Sequence, residues 1–347
     1  MNKRFYKNKS VLVTGHTGFV GSWMTLWLNK AGANVIGLSH NPPSNPYNYK
    51  FLKLDNSIHN IKGDVRNLKF VTNIIKDYQP DIIIHLAAQP ILLKSYEDPV
   101  YTYTTNAIGT LNILEASHKV GVARVILNIT SDKVYDNIGI KKKYTEEDRF
   151  GGFDPYSSSK ACAELITQAY KNSFFSDIGV ATARAGNIIG GGDWGIHRLV
   201  PDIFNAWKDK KTLTIRHPEG IRPWTYILDV LNGYLLLSEK LYKNKAYSGG
   251  WNFSSEYVKS VISLINEFSK YWNINYTVVP EKKHEDRLLL LDSSKSKKEL
   301  NWSPKFTFAK TIKETSSWYN IFYGSKGRNI LNYSIYQLEN FERLDNS

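Results

Sequence analysis

The chain predicts an α/β fold, a doubly wound parallel sheet followed by a smaller C-terminal domain, and three observations carry that prediction. Short β-branched runs alternate with helix-periodic segments through residues 11–129, the βαβαβαβ order of a parallel sheet covered on both faces. The first strand runs directly into three glycines and then a helix. The fourth strand ends in Ala87-Ala88-Gln89-Pro90, small residues that leave a crevice at the carboxyl edge of such a sheet.

Residues 11–14 form the first strand. Gly15, Gly18 and Gly21 allow a tight turn, a close backbone approach and helix-on-strand packing. The helix behind them offers unpaired N–H groups and its positive dipole end to an anionic diphosphate, although a βα turn without a ligand has the same pattern. Residues 34–38 are the second strand. It ends in Ser39 and His40, where dinucleotide folds often carry an acid for the adenosine ribose, so NAD and NADP both stay open. The Pro/Asn-rich residues 41–60 predict a loop. A strand over 61–65 brings Asp64, which either accepts from an adenine amino group or caps the next helix. A helix over 70–78, a buried strand over 81–86, a long helix over 101–120 and a strand over 124–129 complete the alternation. Strands over 180–185 and 212–216, a helix from residue 227 and a short strand at 251–253 that rejoins the main sheet follow.

A hydrophobic fraction of 42% without a membrane-length run predicts a soluble protein. The basic N-terminus has no apolar h-region, so no secretory signal is expected. The single cysteine, Cys162, excludes an internal disulfide and fits a reducing cytosol. The net charge of +13 comes from scattered lysines without a helix-turn-helix or an Arg/aromatic strip, which argues against nucleic acid and for a polyanionic small substrate. His284-Glu285 lacks the second histidine of a zinc site, and no other metal constellation is present.

The chemistry begins at Thr130-Ser131-Asp132-Lys133, where the fifth strand opens onto the same edge as the glycine turn. Asp154-Pro155-Tyr156 then starts a helix in which Tyr156 and Lys160 share a face. A lysine ammonium beside a phenol should pull the tyrosine towards the range of a general base, though such pairs also occur by chance. A glycine-rich loop from Asn187 to Trp194 offers backbone N–H groups to a diphosphate or forms a hinge. Arg222 suits bidentate diphosphate binding or a surface ion pair, and Trp224 can cover a base or ribose.

The segments GHTGFVGSW, AAQP, NITSDKVYDN, GGFDPYSSSKACAEL, ARAGNIIGGGDW and IRPW together resemble the extended short-chain dehydrogenase/reductase family, within it most closely the CDP-glucose 4,6-dehydratases, from about residue 5 to about residue 320. The resemblance implies a Rossmann-like fold over 1–186 with 219–254, a nucleotide-sugar-binding domain over 187–218 with 255–323, and a tail over 324–347 of unknown role. It implies NAD held by Gly15, His16, Thr17, Gly18, Phe19, Val20 and Gly21, by Ser39, His40, Asp64 and Val65, and by Leu86, Ala87, Ala88, Gln89, Asn106, Thr130, Tyr156 and Lys160. In this reading Tyr156 takes the 4-hydroxyl proton of a hexose as hydride leaves C4, Ser131 bonds that hydroxyl, and Lys160 assists. Water then leaves across C5 and C6, with Asp132 and Lys133 as the elimination pair, and hydride returns to C6. The implied substrate contacts are Gln89, Ser131, Asn187, Gly192, Asp193, Trp194, Arg198, Arg216, Arg222, Trp224, His284 and Arg287, the last two in a charged loop that either closes over substrate or is simply solvated. A homodimer through the helices at 101–120 and 156–172, and a place in deoxysugar synthesis for surface polysaccharide (lipopolysaccharide O-antigen), also follow. The chain departs from the family at Val20, Asn67, Thr225 and Tyr226, the last two near the nucleotide base. A 4-epimerase or 4-dehydrogenase, which needs no elimination pair, a dehydratase using a different nucleotide sugar, and a silent nucleotide-binding protein remain the other readings.

Overall fold

The computed structural model describes residues 2–42, 44–139, 142–279 and 288–344. Its centre is a seven-stranded, wholly parallel sheet of β1 (Ser10–Thr14), β2 (Asn34–Ser39), β3 (His59–Lys62), β4 (Ile82–His85), β5 (Val125–Ile129), β6 (Gly179–Arg184) and β7 (Gly249–Asn252), in the order β3-β2-β1-β4-β5-β6-β7. The order runs one way from β1 to β3 and reverses at β4, so a crevice opens at the carboxyl ends of β1 and β4. Alternation of side chains decides what each face buries. Val11, Val13, Ile82, Ile84, Val125 and Leu127 join Trp23 and Leu28 of α1 (Phe19–Lys30) in one core. Leu12, Ile36, Ile83, Ile126 and Val180 face Val71 and Ile75 of α2 (Leu68–Tyr78) and Ile113 of α3 (Gly109–Val120) in the other.

Two expectations need correction. The span 41–60 is not all loop: its polar residues still hold a short helix, Asn48–Leu52, because Tyr49 and Leu52 find burial against α1. The helix expected over 101–120 is three pieces, Pro99–Tyr103, a π-helical turn Thr104–Ile108, and α3. The extra residue of a π-turn shifts the side chains that follow, and here it buries Asn106. The strand expected at 251–253 does rejoin the sheet, as β7 beside β6.

Beyond β5 the chain forms α4 (Pro155–Phe174), the helix Leu199–Lys208, α5 (Ile227–Lys243) and several two-stranded pairs, among them Ile221–Pro223 with Val258–Ser260. The tail closes the molecule. After α6 (Phe308–Ser325) the chain turns at Gly327 into α7 (Ile330–Arg343), which lies back against α1 and the short helix Asn48–Leu52. Trp27 of α1 donates its indole N–H to Glu342 at 2.9 Å and packs edge-on against Phe341, and Lys3 pairs with Glu342 at 2.6 Å. No helix among the described residues is long and apolar enough to cross a membrane.

Candidate active site

The turn after β1 has room only for glycine. Gly15 has φ +73°, and a Cβ there would lie 2.8 Å from the backbone nitrogen of Ala87; one on Gly21 would overlap the Gly15 carbonyl. Gly18 is the N-cap of α1 and supplies no side chain to its first N–H groups. These features fit a dinucleotide diphosphate laid across the turn: a tight backbone, an uncapped helix start and a positive dipole end. Asn106 ties the opposite wall together. Its amide accepts from the Gln89 N–H (2.8 Å) and donates to the Gln89 carbonyl and to Ser159 of α4.

Asp154 starts α4. Its carboxylate caps Ser157 through both the backbone N–H (2.9 Å) and the hydroxyl (2.6 Å), and Pro155 occupies the first turn, so Tyr156 and Lys160 project from the sheet edge next to Ser131. The Ser131 hydroxyl lies beside the Tyr156 phenol and draws its pKa down, donates to Asp132 Oδ1 at 3.0 Å and accepts from the Lys133 N–H at 3.2 Å. Asp132 is nearly buried, and its carboxyl lies against Gly186, where any side chain would collide with it.

The expected effect of Lys160 on the phenol is not what the structure shows. Burial pushes Tyr156 up from its ordinary value; Ser131, Arg198 and Lys133 pull it down and Asp132 pushes it up, without reversing the sign. Lys160 itself is pushed down to about 8 by burial, against the opposing charge of Glu164. Its ammonium donates one of its three N–H groups to the Ile129 carbonyl at 2.9 Å, which ties the lysine to β5. Arg198 does reach the site, paired with Asp193 at 2.8 Å. Two residues near it carry no obvious sequence signature. Tyr234 of α5 is fully buried and electrostatically coupled to both Asp132 and Tyr156. Glu164, one turn after Lys160, is a buried hub that accepts from Thr130 (2.5 Å) and pairs with Arg184 (2.8 Å); its i+4 spacing from the lysine was the available clue.

Against known proteins, residues 12–315 match the family described as GDP-mannose 4,6 dehydratase. The chain belongs to that family. A CDP-glucose 4,6-dehydratase of Salmonella typhimurium is 39% identical over 332 residues, 92% of each chain. A dTDP-glucose 4,6-dehydratase of Xanthomonas campestris is 27% identical over 89% of this chain and 92% of its own. Among solved structures, the dTDP-glucose 4,6-dehydratase DesIV of Streptomyces venezuelae, with NAD and TYD bound, superposes with a TM-score of 0.82 at 23% identity, covering 91% of this chain and 98% of that one. The epimerase Mth375 of Methanothermobacter thermautotrophicus has a TM-score of 0.79 at 25% identity, covering 93% and 95%.

In this member of the family, several side chains expected at the ligands are engaged elsewhere. His16 is fully buried, bonded to Ser39 (2.9 Å) and Asn60 (2.8 Å) and edge-on to Tyr49. Ser39 also accepts from the Thr17 N–H, so it braces the turn. Asp64 grips Arg66 bidentately, and the side chain of Val65 packs under Gly109. His40 is exposed and lies near Asp64. Both N–H groups and one lone pair of the Gln89 amide are engaged within its own wall, by Ile91 and Thr102. Trp194 is packed between Trp318 and Phe322, and a Cβ on Gly191 or Gly192 would strike Trp318 or Asn48, so this loop is held by an aromatic core. Trp224 is buried with its indole N–H on the Lys259 carbonyl. Both tryptophans are packed into the wall of the site. Arg222 is also buried and donates to the Ile221 carbonyl, Arg216 is half-buried near Asp202, and Asn187 takes φ +43° beside Thr225. Leu86, Ala87 and Ala88 follow β4 at the carboxyl edge of the sheet, and Phe19 and Val20 open α1. His284 and Arg287 lie outside the described residues.

Proposed function

We propose that this protein is an NAD-dependent nucleotide-sugar 4,6-dehydratase, a hydro-lyase acting on CDP-D-glucose to give CDP-4-keto-6-deoxy-D-glucose and water. The observation that carries the reading is the convergence of Ser131, Asp132 and Tyr156 in one polar cluster at the sheet edge, next to a turn that fits a dinucleotide. The 39% identity to a CDP-glucose enzyme supports the base. Bound NAD supplies a hydride acceptor at C4 and the same hydride back at C6. This chain's residues do the rest. Tyr156 takes the 4-hydroxyl proton through a phenol that Ser131 orients, and Arg198 and Lys133 favour its charged form. Asp132 gives a proton to the departing 6-hydroxyl, and Lys133 in its neutral form takes the C5 proton and, as the ammonium so formed, stabilises the enolate. Residues 1–186 with 219–254 hold the cofactor, and 187–218 with 255–323 hold the nucleotide sugar, in the cytoplasm, as a step towards deoxysugars of a surface polysaccharide.

Turnover of CDP-glucose in heavy water tests this. Dehydration should place solvent deuterium at C5, and Asp132→Asn should still reduce NAD yet slow water loss by about 10²-fold or more. No deuterium at C5 would favour a 4-epimerase, and normal dehydration by Asp132→Asn would remove that residue's role.

The protein is a homodimer in this reading. Val100 and Ile108 on the helical run before α3, and Leu165 on the adjoining α4, are exposed apolar side chains on neighbouring helices. Sedimentation should give a dimer, and Ile108→Asp with Leu165→Asp should give a monomer.

A further inference from the structure

Two side chains near Lys160 each keep a buried polar atom without a partner among the described residues: His85 Nε2 and Asn128 Oδ1. They belong to one row. Thr14, His85, Asn128 and Thr182 pair strand to strand across β1, β4, β5 and β6, and all are more than nine-tenths buried. Two residues earlier on the same face stand Leu12, Ile83, Ile126 and Val180, all apolar. The face turns polar where α4 brings in Lys160.

The hydrogen-bond chains fix which atom is donor and which acceptor. Thr14 Oγ1 accepts from the N–H groups of Leu86 and Ala87, each at 3.1 Å, so its own proton goes to His85 Nδ1 at 2.7 Å. The histidine proton is therefore on Nε2, and the orphan is a donor. Thr167 Oγ1 donates to the Ala163 carbonyl at 2.7 Å and so accepts from Asn128 Nδ2 at 2.9 Å. The asparagine oxygen faces the other way, and that orphan is an acceptor. Register partners on adjacent strands lie about 5 Å apart. A donor and an acceptor left over in neighbouring buried positions are what one water satisfies, and burying both unpaired is costly. Lys160 spends one N–H on Ile129 and keeps others.

We propose that a structural water sits between His85 and Asn128 on the α4 face of the sheet, accepting from Nε2–H, donating to Oδ1 and accepting a second bond from the Lys160 ammonium, which makes His85 and Asn128 positioning residues for that lysine. His85 does not titrate in the working range: burial first, then the Lys160 charge, holds it down to about 3. The other charged or titratable groups around the lysine are Glu164 on its own helix, Arg184 of β6 through Glu164, and Tyr156 one turn back with Asp132, Lys133 and Arg198 around it. A shift in the pH profile of the hydride step therefore reports Lys160.

The kinetic test rests on the dehydratase reading. His85→Leu removes the donor and with it the water, so the Lys160 ammonium loses an acceptor and the acid limb of cofactor reduction moves down by about one pH unit, with KM unchanged. His85→Gln restores the limb, because its amide can accept from Thr14 and donate to the water. An unmoved limb in a folded His85→Leu protein overturns the proposal. A high-resolution crystal structure of the unaltered protein is independent of turnover. Density for a water within hydrogen-bond reach of Nε2, Oδ1 and Nζ supports the proposal, and a direct His85–Asn128 bond or a dry gap overturns it, even if CDP-glucose proves not to be the substrate.

Discussion

Replacing Tyr156 with Phe is expected to slow cofactor reduction by CDP-glucose about 10³-fold, within the contribution of a general base. Stability should change by only about 1 kcal/mol, because the lost hydroxyl has one neutral polar neighbour, Ser131, to bond to. Single-turnover absorbance of the reduced cofactor and a melting curve separate the two. Full reduction by the variant would take the phenol out of the mechanism. The pH profile of the unaltered protein carries a second expectation. Burial pushes the phenol up and the lysine down to about 8, so as the pH rises the pair releases its first proton near 8, where the unfolded lysine would hold on to 10.5. The singly protonated pair, whose reactive arrangement is phenolate beside ammonium, becomes populated there. Cofactor reduction should therefore climb to about pH 8 and then level off. A plateau reached below neutral pH would mean that the lysine does pull the phenol down as the helical spacing suggested.

What was legible in the chain was what local chemistry determines. A strand entering glycines and then a helix has few other solutions, and Asp154-Pro155 marks the start of α4 and thereby the common face of Tyr156 and Lys160. Ser131 was placed by its position at a strand end. What stayed hidden depends on partners distant in sequence. Gln89, Trp194 and Trp224 have ligand-binding side chains by type, but Thr102, Trp318 and Lys259 already engage or cover them. The π-turn at Thr104–Ile108 leaves no mark on a 3.6-residue period, so the burial of Asn106 was invisible to it. The i+4 spacing of Tyr156 and Lys160 correctly put them on one face, yet it says nothing about the Ile129 carbonyl that captures the ammonium. Polar residues at the ends of buried strands, His85 above all, read as ordinary strand residues until the register lines them up.

The tail was unreadable in sequence, and the structure gives it a stability role that a truncation should expose. Removing residues 327–347 strips α7 from its seat. Ile330, Leu338 and Phe341 are each fully buried, and burying three such side chains is worth about 9 kcal/mol at most. Two indoles would also lose their acceptors: Trp27 its bond to Glu342 and Trp318, in the aromatic core under the Gly191 loop, its bond to Ser334, both 2.9 Å. The melting temperature should fall by roughly 10 °C or more, at a few degrees per kcal/mol for a chain of this size. The loss would not stop at the tail, because α7 bridges α1, which begins at the cofactor turn, and α6, which supports the Asp193–Arg198 segment through Tyr319 and the Asp193 carbonyl. Phe341→Ala isolates the seat itself at about 3 to 5 kcal/mol, the cost of emptying a buried aromatic site. Should the truncated protein melt as the full chain does, α7 contributes no net stability, and the packing of Trp27 against Phe341 is incidental to the fold.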